Sequence, residues 1–191
     1  MIHNVLKAIK DELDGFLKRR LPIGVDQTQP LVLLSELMNL DGTVNEDAFD
    51  KVICTLINVE QERVSLNVRP ADHSVRTNPP INLNLYVLIS ANFRAGNYFN
   101  ALGALSSVIA YFQGKQIFTP QNTPGLPTGI ERITMELVNL DMRELSNFWT
   151  AVGSKHLPSV IYKFRMVSIS EDLILEELRE ITAVESNPKV G

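Results

Sequence analysis

The stretch from Asp141 to Ile169 constrains the fold most, because its apolar residues change from helical spacing to a period of two. The first half predicts a short helix that ends at Gly153 and buries one apolar stripe. The residues of that stripe are Leu145, Phe148, Trp149 and Val152. The second half predicts a strand from Pro158 to Ile169, with Pro158 at a first position that tolerates a missing N–H. We expect Phe148, Trp149 and Tyr162 to lock the short helix onto the sheet.

Two long amphipathic helices and several further strands are predicted from the remaining periodic segments. The helices are at residues 2–20 and 96–114, and the strands are at 31–37, 51–62, 79–93, 117–118 and 130–140. The strand at 51–62 is apolar early and polar late, which indicates a ribbon that projects toward solvent. Runs of strands with helices gathered on one face are typical of an α+β domain, here with a largely antiparallel mixed sheet.

The ends of the domain are predicted from loop and periodicity signals. Residues 63–80 contain three prolines and three arginines without periodicity and are interpreted as a loop. The last segment has apolar positions that fit neither helix nor strand, namely Leu173, Leu175, Leu178, Ile181 and Val184. A chain of 191 residues can bury one substantial core. We therefore predict a single α+β domain over residues 1–170 and a C-terminal arm over 171–191, whose conformation depends on what it binds.

Composition and charge exclude several classes of protein. The chain is 45% hydrophobic and 21% charged, with a formal net charge of −4, which argues against a nucleic-acid-binding surface. It has no apolar run long enough to span a bilayer, and charged residues interrupt the N-terminal apolar residues, so no leader is expected. The single cysteine, Cys54, predicts neither a disulfide nor a thiolate metal site. These features fit synthesis in a reducing cytoplasm.

Few residue patterns indicate chemistry. The histidines His3, His73 and His156 are scattered and lack metal-ligand spacing. The segment from residue 41 begins like a calcium-binding loop, but it has Glu46 where Gly is required and Val52 where Glu is required. We therefore expect no catalytic, cofactor-binding or metal site. A small-molecule-binding or enzymatic domain that uses the 63–80 and 119–129 loops remains the alternative.

Two separated motifs carry a resemblance to a known family. The block at residues 144–167 resembles the Leu-x-x-Phe/Leu-Trp-x-x-Leu/Val-Gly … Pro-Ser-x-x-Tyr-x-x-Arg signature of the cap, or tail-terminator, proteins of extracellular phage-tail-like contractile injection systems. It is carried by Leu145, Phe148, Trp149, Gly153, Pro158, Ser159, Tyr162 and Arg165. The strand at residues 79–90 resembles the same family's Pro-Pro … Asn-Leu-Tyr strand. It is carried by Pro79, Pro80, Asn84, Leu85 and Tyr86.

The resemblance implies a structural protein with a tail-terminator-like fold. It implies a six-membered ring of identical subunits that ends tube and sheath polymerisation at the end of the particle distal to the baseplate, without catalysis or a cofactor. The implied partners are the sheath protein and the inner tube protein, with no nucleic acid and no membrane insertion. The implied place of assembly is the bacterial cytoplasm, within a particle that can be released from the cell. The resemblance also implies that the arm, with its five apolar positions, contacts a neighbouring subunit or the sheath. Another baseplate or tube component of the same particle is the closest alternative.

Overall fold

A six-stranded mixed sheet lies between two long helices on one face and one short helix on the other in the computed structural model of this chain. The structure describes residues 1–21, 28–39, 41–43, 45–62, 75–77, 81–127, 129–169 and 174–177. The predicted α+β class with a largely antiparallel mixed sheet is confirmed. The helices are not all gathered on one face, however.

The three helices begin and end where local sequence signals place them. They are α1 (Ile2–Arg20), α2 (Tyr98–Gly114) and α3 (Met142–Val152). The last turn of α1 carries Lys18, Arg19 and Arg20, whose charges favour the negative end of the helix dipole. At the start of α3, the Asp141 carboxylate accepts from the Glu144 backbone N–H, and the Glu144 carboxylate accepts from the Asp141 N–H. A 3₁₀ turn also spans Glu46–Ala48.

The strands are β1 (Val32–Leu34), β2 (Lys51–Gln61), β3 (Val75–Thr77), β4 (Ile81–Asn92), β5 (Ile117–Phe118), β6 (Ile133–Val138), β7 (Ser159–Ile169) and β8 (Ile174–Glu177). The six strands of the main sheet follow the predicted segments within a few residues, and β3 and β8 are additional. The main sheet has the order β1-β2-β4-β7-β6-β5, in which β1 runs parallel to β2 and every other neighbouring pair is antiparallel. Strands β4 and β7 therefore form its centre.

Two hydrophobic clusters lie on opposite faces of this sheet. The larger cluster packs α1 and α2 on one face, where the Phe112 ring lies 4.5 Å from the Tyr162 ring. The smaller cluster packs α3 on the other face, with Trp149 against Leu88 and Ile161. Alternation along β7 explains the division, because neighbouring residues such as Ile161 and Tyr162 point to opposite faces.

Strands β3 and β8 lie where the sequence predicted a loop and an arm. They pair antiparallel, with Val75 opposite Glu177 and Thr77 opposite Ile174. The interpretation of residues 63–80 as a structureless loop is therefore wrong at β3. Two such short strands, far apart in sequence, leave no periodic pattern long enough to recognise. Leu175 lies within β8, whereas Pro79, Pro80, Leu173, Leu178, Ile181 and Val184 lie outside the described residues.

Candidate functional site

The predicted apolar stripe of α3 packs onto the sheet as expected. Trp149 is only 5% exposed, and its ring lies 5.8 Å from Phe148 and 5.4 Å from His156. Leu145, Phe148 and Val152 pack around the same cluster. Gly153 ends the helix in the left-handed conformation, with φ of 71°, which glycine adopts without the steric cost of a Cβ. Pro158 and Ser159 then lead into β7.

Tyr162 does not lock α3 onto the sheet. It is 5% exposed and belongs to the cluster under α2, on the face opposite Trp149. Burial raises the pKa of its phenol above the usual range. Leu85 lies in the same cluster and is fully buried. The residue of β7 that contacts the α3 cluster is Ile161, one position earlier.

Beyond α3, the same face of the sheet carries a set of paired polar side chains that crosses four strands. The set, here called the charged ladder, consists of Glu60 and Glu62 of the β2 end, Asn84 and Tyr86 of β4, Lys163 and Arg165 of β7, and Glu136 of β6. Three of its members, Asn84, Tyr86 and Arg165, are motif residues. The structure therefore brings together residues that come from both motifs.

The first rung of the charged ladder joins β2, β4 and β7. The Tyr86 hydroxyl donates to Glu60 Oε2 over 2.8 Å, and Lys163 Nζ lies 3.6 Å from the same oxygen. Lys163 Nζ also lies 5.4 Å from the centre of the Tyr86 ring, within cation–π range. Desolvation opposes the charge of Lys163, but the contact with Tyr86 and the nearby Glu60 and Glu62 raise its pKa overall.

The second rung is centred on Glu62, whose side chain is 10% exposed. Its Oε2 accepts from Asn84 Nδ2 and from Arg165 Nε, each over 3.1 Å. Arg165 also donates from Nη1 to Glu136 Oε1 over 3.4 Å. The hydrogen bond to Glu136, followed by the charge of Glu62, raises the pKa of Arg165 above its usual value. Asn84 is 2% exposed, so this rung is held in a partly desolvated environment.

The arrangement suits a fixed scaffold more than proton transfer. Both cations are held in their charged form, and both face carboxylates on neighbouring strands. Such pairing fixes the relative positions of β2, β4, β7 and β6 at the end of the sheet. Sequence reasoning missed Glu60, Glu62, Glu136 and Lys163. The signal that could have found them is charge complementarity between strands. The β2 end carries glutamates at alternate positions, and β7 carries Lys163 and Arg165 at alternate positions, but they can be matched only once the register of the strands is known.

A cavity and a buried cysteine lie outside the charged ladder. A cavity of about 220 Å³ lies beside α3 and is lined mainly by apolar side chains of β6, β7 and α3, including Val138, Leu145, Phe148 and Ile161. Cys54 is buried, which raises the pKa of its thiol to about 12. Among the described residues there is no group of three or more His, Cys, Asp or Glu side chains that could hold a metal ion. Within the same part of the chain, no helix has the length and apolar character needed to cross a membrane.

Comparison with known proteins places the chain in a family. The Pvc16 N-terminal domain family matches residues 4–182. The chain belongs to this family. No curated protein sequence matches it.

Two solved structures resemble this member of the Pvc16 N-terminal domain family. One is the cryo-EM structure of the PVC sheath/tube terminator, in extended state, of an extracellular contractile injection system, with a TM-score of 0.57 and 18% identity. That likeness covers 100% of this chain and 64% of the terminator chain. The other is the cryo-EM structure of the anti-feeding prophage cap, a tube terminating cap, with a TM-score of 0.49, 15% identity and coverage of 98% and 60%. The predicted resemblance to tail terminators is confirmed for family and fold.

Proposed function

We propose that this chain is the structural cap of a contractile injection particle. It ends polymerisation of the inner tube and sheath at the end distal to the baseplate. The observation that carries this proposal is the match of residues 4–182 to the Pvc16 N-terminal domain family. The fold supports it, because a sheath/tube terminator shares that fold across 100% of this chain. This chain spans 64% of the length of that terminator chain. The partner proteins named below are therefore proposed as well.

The assembled cap is a ring of six identical subunits that contacts the sheath protein and the inner tube protein. Its role is mechanical and non-catalytic, without a cofactor, a nucleic acid or membrane insertion. It is synthesised and assembled in the bacterial cytoplasm and becomes part of a particle that acts outside the cell. Closed rings of identical subunits are a common outcome of contacts between two different patches of one chain.

Residues 1–170 form the cap domain and residues 171–191 form an arm in this proposal. The arm reaches a neighbouring subunit or the sheath through Leu173, Leu175, Leu178, Ile181 and Val184. Support comes from the pairing of β8 with β3, which joins residues 174–177 to a strand that lies within residues 1–170. The motif residues Asn84, Tyr86 and Arg165 act by fixing the end of the sheet through the charged ladder.

Removal of the gene from the producing bacterium tests the cap role. Electron micrographs of purified particles should show sheaths and tubes of uncontrolled length, because nothing then stops their growth. Restoring the intact gene should return the uniform length. Particles of normal length and normal contraction without the gene would contradict the proposal, and a gold label on this chain at the baseplate end would replace it with a baseplate role.

A second variant tests the role of the C-terminal arm separately from that of the domain. The variant replaces Leu178, Ile181 and Val184 with serine, and none of these residues belongs to the β3–β8 pair. The variant should still form caps but should attach poorly to the sheath, which is measured as the fraction of particles with loose sheath ends.

A further inference from the structure

Helix α2 exposes large apolar side chains on its outer side as well as burying them on its inner side. None of its seventeen residues is charged. Tyr98, Phe99, Leu102 and Ile109, here called the α2 outer surface, are 64%, 87%, 41% and 39% exposed. Helix α1 packs on the same face of the sheet, yet it presents charged residues such as Lys7 and Asp11 to solvent. Ser106 and Gln113 are also exposed on this helix but carry no charge. A cluster of exposed large apolar side chains on an uncharged helix is typical of an interaction surface.

The projecting end of the sheet carries a second exposed apolar surface. Leu56, Val59 and Ile81, here called the ribbon apolar side, are 38%, 42% and 49% exposed. Leu56 lies opposite Val87 and Val59 lies opposite Leu85, so this surface continues the face that α2 covers further along the sheet. The other face of the same ribbon carries the charged ladder, whose charges are paired with one another.

The aromatic end of the α2 outer surface and the ribbon apolar side lie toward opposite ends of β4. Helix α2 starts just after β4 ends, and its Phe112 ring lies 4.5 Å from the Tyr162 ring and 6.4 Å from the Phe164 ring. Tyr162 and Phe164 pair with Val87 and Leu85 of β4. The helix therefore runs back along β4. At about 1.5 Å per residue α2 is roughly 25 Å long, whereas β4 at about 3.4 Å per residue is roughly 40 Å long. Phe99 consequently lies near one end of β4, and Ile81 lies beyond the other end of the helix.

We propose that the α2 outer surface of one copy packs against the ribbon apolar side of the next copy, head to tail. The partner is a second copy of this chain, because the chain itself supplies both surfaces. Their contact buries apolar side chains, with Phe99 as its aromatic anchor, and the residues that define the two surfaces bring no charge to desolvate. Two different surfaces on one chain make a heterologous contact, which closes into a ring when the rotation between copies allows it. This inference deepens the proposed cap function and rests on it.

The test uses the purified full chain and two single variants, Phe99→Glu and Ile81→Glu. The mass in solution is measured by light scattering after gel filtration, and folding is checked by circular dichroism and thermal melting. The wild type should form a multi-subunit species. Each variant alone should fall to the mass of one chain, because each lacks one of the two surfaces. An equimolar mixture of the variants should form heterodimers, since one intact copy of each surface remains in every pair.

Met142→Glu is the matched control, because Met142 is 81% exposed at the start of α3, which packs on the face of the sheet opposite α2 and the ribbon apolar side. It should associate like the wild type. A monomeric wild type, a Phe99→Glu or Ile81→Glu variant that associates normally, a mixture that stays monomeric, or loss of association in Met142→Glu would each overturn the inference. Failure of the cap function is scored separately, by particle length in the strain without the gene.

Discussion

Trp149 lies between α3 and the sheet, and its burial determines how much a substitution lowers the free energy of unfolding. We expect Trp149→Ala to lower the free energy of unfolding by about 3–5 kcal/mol, because it removes a large buried side chain and leaves a cavity. Urea denaturation followed by circular dichroism measures the change. Trp149→Phe is the control. Within the described part of the chain the indole N–H has no hydrogen-bond partner, so this variant should lose much less. Equal losses in both variants would contradict the packing explanation.

Arg165 contacts two carboxylates of very different exposure, which provides a matched pair of variants. Glu62 is 10% exposed and Glu136 is 46% exposed at their side chains. Glu62→Ala should lower the free energy of unfolding by about 1–3 kcal/mol, because it leaves the partly buried Arg165 and Asn84 donors without this acceptor. Glu136→Ala should cost under about 1 kcal/mol, and less at high salt, as for exposed ion pairs. Urea midpoints at low and high salt measure both, and a larger loss for Glu136→Ala would contradict this ranking.

Single residues show where sequence reasoning stops. The stripe from Leu145 to Val152 could be predicted, because its spacing alone places it on one face of α3. The alternation of β7 was also predictable, yet it does not say which face receives α3. Tyr162 was therefore assigned to the wrong side. The charged ladder was out of reach for a related reason, since pairs such as Glu62 and Arg165 are set by strand order and register.

At the scale of the element, α3 shows how end signals fix a short helix. Gly153 has φ of 71°, and a Cβ added there would meet nothing within 4 Å. Gly153→Ala should therefore cost about 1–2 kcal/mol through the left-handed backbone alone. Gly15 lies inside α1, where an added Cβ would lie 3.5 Å from the flexible Arg19 side chain. Gly15→Ala should instead stabilise the protein by about 0.5–1 kcal/mol. Thermal melting of both variants should show shifts of opposite sign, and shifts of the same sign would contradict the assignment.

Element predictions succeeded where a pattern was long. Strand β4 and helices α1 and α2 have enough periodic positions to identify their type, and their ends fall within a few residues of the predicted ones. Strands β3 and β8 are three and four residues long, and each pairs with a segment that is distant in sequence. Tertiary contacts of that kind leave no local signal.

At the scale of the whole molecule, the α+β class followed from the order of elements, whereas the layering did not. Helices cover both faces of the sheet. The larger hydrophobic cluster lies under α1 and α2 on one face, and the smaller cluster lies under α3 on the other. The end of the sheet formed by β2 and β4 has two unlike sides, with paired charges on one and exposed apolar residues on the other. A surface with this division can be held rigid from one side while the other side contacts a neighbour.

The central position of β7 has a consequence for how the chain is made. Strand β4 borders β2, which precedes it in the chain, and β7, which is synthesised last of the six strands in the sheet. Until residues 159–169 leave the ribosome, one edge of β4 has no partner, and β6 has no strand through which to join the sheet. Open apolar edges of this kind promote aggregation. A nascent chain that stalls before Ser159 therefore carries two incomplete pieces of sheet, and the last strand to emerge joins them.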